Sequence, residues 1–210
     1  MTKRAYCDSC RSAQRLCFCD QFSSQVHRHS VTIIQHPDEA KHAKGSAWMC
    51  ERVLDKCQII VGEQAADFQE LATLVASQEQ HWALLYPSEF SKGLVNYNAY
   101  DVNKHAEQKS KLPEHWIIID ATWRKAYKML QLNPWLHAIP HFHFENAPPS
   151  AYTIRKAPSE HHLSTLEAVA LLLENIEDFN GTTLRQLLKT RIEQQQQHMS
   201  PKVLKRYKTN

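Results

Sequence analysis

Short runs of large or β-branched apolar residues recur at 31–34, 59–61, 83–86 and 116–119, each closed by a turn or polar residue such as His36-Pro37, Gly62-Glu63, Pro87-Ser88 or Asp120. They lack the polar alternation of a strand with one wet face. They therefore read as strands buried on both faces, the condition of a parallel sheet. Residues 141–144 form a candidate fifth. Between the runs the apolar period becomes that of helices: Phe68, Leu71, Ala72 and Val75; then Trp123, Ala126, Tyr127 and Leu130, stopped by Asn133-Pro134; then Leu166, Val169, Ala170 and Leu173. Strand and helix in alternation predict an α/β chain, a mostly parallel sheet with helices on both faces. The 210 residues, 42% of them hydrophobic, suffice for one such domain and a small appendage. No internal repeat is present. The C-terminal stretch reads as a polar helix through 194–197 that turns basic at Lys202, Lys205, Arg206 and Lys208, the pattern of a solvated or frayed helix.

The appendage lies at the other end. Residues 1–24 show neither period and hold four of the six cysteines, as Cys7-x2-Cys10-x6-Cys17-x-Cys19. Thiolates two residues apart reach one ion from a tight turn, and zinc takes four such ligands in a tetrahedron. Four cysteines in so short a polar segment do not read as core residues. The spacing predicts a structural zinc on Cys7, Cys10, Cys17 and Cys19, with His27 and His29 as alternative ligands. A cysteine-rich zinc-binding segment, 1–24, is thus set apart from the main domain, 25–210. Cys50 and Cys57 fall in helical and strand-edge contexts, where a thiol packs as a small apolar group.

The formal charge of +3 leaves no global polycation, so nucleic-acid binding does not follow from net charge. The 13 histidines can add local positive charge near neutrality. No apolar run of about eighteen residues and no signal-like start occur, so neither a membrane span nor export is expected. A cytoplasmic protein follows, in which clustered thiols favour metal over disulfides. The four glycines, Gly45, Gly62, Gly93 and Gly181, stand too far apart for a Gly-x-Gly-x-x-Gly turn or a P-loop. A nucleotide-like ligand would have to be held some other way.

In a parallel sheet ligands gather at the carboxyl ends of strands. The residues there are Gln35-His36-Pro37, Leu85-Tyr86-Pro87 and Asp120-Ala121-Thr122-Trp123, with Leu163-Ser164-Thr165 opening the last helix. Asp120 has two readings: a helix cap, which local sequence favours, or a carboxylate at a pocket mouth. Ser164 and Glu167 form a capping box, whose helix start can also receive an anion. Trp123 fits a core position on its helix. Arg155 and Lys156 bring charge to the same layer.

These residues spell a larger pattern. The run from Asp120 to Met129, Asp-Ala-Thr-Trp-Arg-Lys-Ala-Tyr-Lys-Met, resembles the Asp-x-Thr-Trp signature of the DTW-domain family. The N-terminal cysteine pairs, Gln35-His36-Pro37-Asp38-Glu39, Leu85-Tyr86-Pro87-Ser88, and Ser150-Ala151-Tyr152 followed by Arg155 and Leu163-Ser164-Thr165-Leu166-Glu167-Ala168 are similar to family motifs in the same order, over residues 6–175. At 42–47 the chain departs: it reads His42-Ala-Lys-Gly-Ser46-Ala where several members carry a Ser-Asn-Thr-Gly-like stretch.

The resemblance implies a relation to the SPOUT class, with a C-terminal trefoil knot whose loops hold S-adenosylmethionine without a glycine fingerprint. It implies a tRNA-uridine aminocarboxypropyltransferase in which residues 25–210 are the catalytic domain. Asp120 is then the base or base-orienting group. Tyr86, Pro87, Thr122, Trp123, Leu163, Ser164 and Thr165 would contact S-adenosylmethionine. His36, Arg11, Arg15, Arg124 and Arg155 would contact tRNA, joined on the basic face by Lys125 and Lys128. Two other readings stay open: a SPOUT-like RNA methyltransferase, and a non-enzymatic zinc-ribbon RNA-binding protein. Nothing in the sequence calls for a membrane or an obligate protein partner.

Overall fold

Side chains along the apolar runs point alternately to two sides of one sheet, and helices cover both. The computed structural model describes residues 5–10, 12–42, 44–94, 111–152, 163–197 and 199–200. Its strands are β1 Ser30–Gln35, β2 Cys57–Val61, β3 Trp82–Leu85, β4 Lys92–Leu94, β5 His115–Asp120 and β6 His141–Phe144, in the order β2-β1-β5-β3-β6-β4. Every neighbouring pair is parallel. The helices are α1 Pro37–Ala40, α2 Ala47–Val53, α3 Gln69–Ser77, α4 Trp123–Leu132, α5 Thr165–Ile176 and α6 Thr182–Gln197.

On one side Val31, Ile33, Ala83, Leu85, Trp116 and Ile118 pack with the apolar residues of α2, α5 and α6. On the other, Ile34, Trp82, Leu84 and Ile117 pack with Phe68, Leu71 and Val75 near α3 and with Ala126, Met129 and Leu130 of α4. The strands read from the sequence as doubly buried are so in β1, β3 and β5. The exception is β2, which is half-buried because it lies at the sheet edge with a strand on one side only. The short β4 gave no apolar run to read: it is Lys92-Gly93-Leu94, and only Leu94 is buried. The stop at Asn133-Pro134 ends α4, and a 3₁₀ turn, Pro134–Ala138, continues from it.

Helix α6 is packed rather than solvated along one face, while the basic residues Lys202, Lys205, Arg206 and Lys208 lie outside the described residues. Leu184, Leu187, Leu188 and Ile192 are buried, and Arg191 with them. The polar residues that dominate the stretch lie on its other faces, and the cysteine segment covers part of it. Arg191 Nη1 donates to Ser12 Oγ at 2.8 Å, and Gln194 Nε2 donates to the Leu16 carbonyl at 2.6 Å. Cys10 and Phe18 belong to the same core as β1, and Phe18, Phe22 and Trp48 meet edge to face with centroids 5.3–6.3 Å apart. Among the described residues no helix is long and apolar enough to cross a membrane.

Where β2 ends, Gly62 N–H donates to the Gln35 carbonyl at 3.0 Å, which brings its backbone close to the turn that follows. A Cβ there would lie 2.4 Å from Asp67 Cβ and 2.9 Å from the Phe68 ring. Asp67 has little room to yield, because its Oδ2 accepts from Glu63 N–H and Gln64 N–H at 2.8 and 2.9 Å. Gly62→Ala is therefore expected to destabilise the fold by about 1–3 kcal/mol, the usual cost of overpacking. Urea unfolding checks this; an unchanged midpoint would show that the turn relaxes freely.

Candidate functional site

Because all strands run parallel, their carboxyl ends share one edge. There Gln35 pairs in register with Asp120, and Leu85 with Ile118. A cavity of about 260 Å³ opens at this edge, near the lower end of the ~300–1,000 Å³ common for small-molecule sites. Tyr86 and Pro87 line it after β3, Ala121 and Trp123 after β5, and Phe142, His143 and Phe144 from β6. Leu163, Thr165 and Ala168 line it from the start of α5. Of the residues named from the sequence, Tyr86, Pro87, Trp123, Leu163 and Thr165 are brought together here. Thr122 and Ser164 flank them as helix N-caps. The β6 side chains were missed: the strand was legible, but not which strand it would pair with.

Asp120 is 6% exposed and sits behind this cavity. The favoured sequence reading made it a helix cap, yet it is the last residue of β5, and Thr122 holds the N-cap position of α4. Its Oδ2 accepts from Gln35 Nε2 at 2.6 Å, and its Oδ1 accepts from the Thr165 hydroxyl. One carboxylate thus links β5 to β1 and to the first turn of α5.

The capping box of α5 is present as read. Ser164 Oγ accepts from Glu167 N–H at 3.4 Å, and Glu167 Oε2 accepts from Ser164 N–H at 2.8 Å. Glu167 also accepts from the Ser150 hydroxyl at 2.8 Å and from Ala151 N–H at 2.7 Å. It gathers the chain after β6 against the helix start. The end of this helix is less free to hold an anion than its sequence suggests: Leu166 N–H already donates to Ser46 Oγ at 3.4 Å. Ser46 belongs to the 42–47 stretch that departs from the family pattern, so that stretch supports α5 directly.

Aromatic rings flank the opening. Trp123 is 44% exposed, not a core residue, because α4 turns that face to solvent at its first turn. Its ring lies 6.2 Å from that of Tyr86, and Tyr127 stands 61% exposed one turn further on. Burial, with Tyr127 nearby, pushes the Tyr86 phenol up. Of the expected basic face, Arg15 and Arg124 are exposed. Lys125 and Lys128 are engaged by Asp38 at 2.6 Å and Glu63 at 2.8 Å. His36 is buried and caps α1, its Nδ1 accepting from Asp38 N–H at 3.1 Å while Nε2 lies 3.5 Å from Glu63. Arg11 and Arg155 lie outside the described residues.

The four N-terminal cysteines converge. All their sulfurs lie within 4.8 Å of one another, with Cys7–Cys19 and Cys7–Cys17 at 3.6 Å and Cys10–Cys17 at 3.8 Å. Metal–sulfur bonds of ~2.3 Å in a tetrahedron space the sulfurs ~3.8 Å apart, so the cluster has the dimensions to hold one metal ion. Backbone hydrogen bonds from Cys10 and Ser9 pull the Cys7 thiol down to about 6, while burial pushes Cys19 up to about 12. His27 and His29 are not part of the cluster. His29 Nδ1 lies 3.1 Å from Glu177, and His27 Nε2 accepts from Lys56 N–H at 3.1 Å. Cys50 is fully buried and Cys57 half-buried, both against the core, as expected of small apolar groups.

Comparison with known proteins adds to this geometry. The DTW domain matches residues 4–196. The chain is similar to tRNA-uridine aminocarboxypropyltransferase 2 of Drosophila melanogaster, 29% identical over 191 residues that span 89% of this chain and 71% of that protein. It is also similar to tRNA-uridine aminocarboxypropyltransferase 2 of Mus musculus, 25% identical over 183 residues, 85% of this chain and 58% of the mouse protein. The chain thus spans a little over half of that mammalian relative. No solved structure matches it.

The cysteine geometry generates a direct expectation. The purified protein should carry one equivalent of metal, and Cys10→Ser should lose it. Ligation and folding of a small metal module are coupled, so residues 5–24 should then become open to protease while the sheet stays protected. Elemental analysis and limited proteolysis read both outcomes; a serine variant that keeps its metal would show that the cluster is not the site.

Proposed function

Because the chain belongs to the DTW domain family, we propose that it transfers the 3-amino-3-carboxypropyl group of S-adenosylmethionine to N3 of a uridine in tRNA, releasing 5′-methylthioadenosine. One observation carries this reading. The segments 86–87, 120–123 and 163–165, which carry the family resemblance, converge on one largely apolar cavity at the carboxyl edge of the sheet.

The chemistry suits such a cavity. A sulfonium activates three carbons toward displacement, and the one aligned with the nucleophile decides the product. Aromatic faces attract a cation held over them, so Tyr86 and Trp123 are placed to steady the sulfonium. Thr165, held by Asp120, and the start of α5 orient the amino-acid end. Exclusion of water from an apolar wall favours displacement by the bound uridine over hydrolysis. Asp120 acts as a positioning residue, since its oxygens already hold Gln35 and Thr165. Arg15 and Arg124 are the described candidates for phosphate contacts, to which the sequence adds Arg11 and Arg155. His36 shapes the α1 turn, whose Asp38 pairs with Lys125 of α4.

The ion we assign to Cys7, Cys10, Cys17 and Cys19 is a structural zinc, because four thiolates leave no open coordination position. Its role is to hold the 1–24 segment against α6. A SPOUT-like knotted topology is supported by the wholly parallel order, in which the late strand β6 lies between the consecutive strands β3 and β4. Four clustered thiolates suited to a metal, with Cys50 and Cys57 unbridged in the core, fit a reducing, cytoplasmic setting.

The decisive experiment incubates purified protein with S-adenosylmethionine and unmodified tRNA and identifies both products by mass spectrometry. 5′-Methylthioadenosine and a uridine heavier by an aminocarboxypropyl group are expected. S-Adenosylhomocysteine would make the protein a methyltransferase, and tight tRNA binding with neither product would make it a binding module. In the same assay Asp120→Asn should lower kcat by about 10²-fold, the scale of misplacing groups around a reaction centre. The acid side of the pH profile should survive in this variant, since asparagine disturbs the Gln35 and Thr165 contacts without removing a base. Loss of that acid limb would instead make Asp120 the base.

A further inference from the structure

The cavity is short of proton acceptors. Among its described lining residues only Tyr86 and His143 carry a titratable group, and burial pushes the Tyr86 phenol up. An imidazole is therefore the group there suited to accept a proton near neutral pH.

Neighbouring hydrogen bonds decide where His143 carries its own proton. Ser91 Oγ lies 2.6 Å from the Ser88 carbonyl oxygen, which can only accept, so the single hydroxyl proton points there. Ser91 Oγ must then accept from Ser88 N–H at 3.1 Å and from His143 Nδ1–H at 2.9 Å. The proton of a neutral His143 is on Nδ1, and Nε2 keeps its lone pair. His141, two residues back on the same strand face, is arranged the other way. Its Nε2–H donates to the Leu136 carbonyl at 3.0 Å, and its Nδ1 accepts from the Ser88 hydroxyl at 2.8 Å. The loop after β3 thus sets two imidazoles in opposite tautomers. His141 is sealed in the core, whereas His143 has a basic nitrogen to offer the cavity it lines. Among the described residues Ser91 is its side-chain partner. The other titratable groups around it are Tyr86 just after β3, Lys92 on the adjoining β4, His141, and Glu145, which lies over Gly93.

We propose that His143 is the general base of the transfer, an assignment that rests on the aminocarboxypropyl reaction proposed above. Nε2 takes the uridine N3 proton as the N3 electron pair bonds to Cγ of the amino-acid part of S-adenosylmethionine. The Cγ–S bond breaks with its electron pair going to sulfur, which gives neutral 5′-methylthioadenosine. The imidazolium then returns its proton to solvent. Asp120 is left to position Thr165, and Ser91 to hold the imidazole in the productive tautomer.

Two variants test this. In His143→Asn the amide N–H₂ can replace Nδ1–H toward Ser91, so folding and the affinities for tRNA and S-adenosylmethionine should persist while the lone pair is lost. kcat should fall by about 10²–10⁴-fold, the span for one general acid–base group. The wild-type rate should fall on the acid side as its general base becomes protonated. The variant should lose that limb. In His143→Ala, added imidazole should restore part of the rate, which a purely structural role would not allow. If the wild type makes both expected products and His143→Asn keeps the wild-type rate and pH profile, the assignment is overturned while the transfer reaction stands. If the wild type makes neither product, the reaction itself has been misassigned and the base with it.

Discussion

A buried carboxylate holds the site edge together. A carboxyl group withdrawn from water at 6% exposure needs polar partners to replace the lost hydration, and Asp120 finds them in two other elements. Gln35 comes from the end of β1, held opposite by the parallel register, and Thr165 from the first turn of α5. Residues 163–165 are thereby held at the centre of the sheet edge. Glu167 draws Ser150 and Ala151 onto the same helix start. The cavity is the space these constraints leave between the ends of β3, β5 and β6.

Much of this frame was legible in the sequence because burial on both faces leaves a strong signal. The runs at 31–34, 83–86 and 116–119 became β1, β3 and β5, and the 141–144 segment is β6 with the same bounds. The α5 capping box formed as its residues suggest, since capping needs only partners three positions apart. What escaped reading depends on contacts between distant residues. Asp120 precedes a helix, and local sequence alone favours a cap; its actual partners lie 85 and 45 residues away. His143 and the two β6 phenylalanines face the cavity because β6 pairs with β3, a choice no local period records.

Helix α6 and the cysteine segment illustrate the same limit from the other side. Read alone, each is polar and weakly patterned. Together they bury Leu187, Leu188 and Ile192 with Cys10 and Phe18 in one core. Arg191 lies buried between them, its guanidinium donating to Ser12. The thiol cluster thus sits at the join between the first residues of the chain and its last described helix. A metal there would stabilise more than a local turn, since the covered face of α6 continues into the core beneath β1 and α5.

The electrostatics of the cavity follow from how its polar groups are allotted. The Asp120 carboxyl group lies behind the wall and spends its oxygens on structure. The serines after β3 spend their hydrogen bonds on two histidines, which freezes both rings. An apolar cleft strengthens whatever charges enter it, because little water remains to screen them. On the proposed placement, a cationic sulfonium between Tyr86 and Trp123 would meet no lysine or arginine among the described lining residues. Protonating that imidazole would place two cations in the same small space. If His143 is the base as proposed, the Nδ1–H tautomer held by Ser91 would be the state in which donor binding and proton acceptance are compatible, and the loop after β3 holds it.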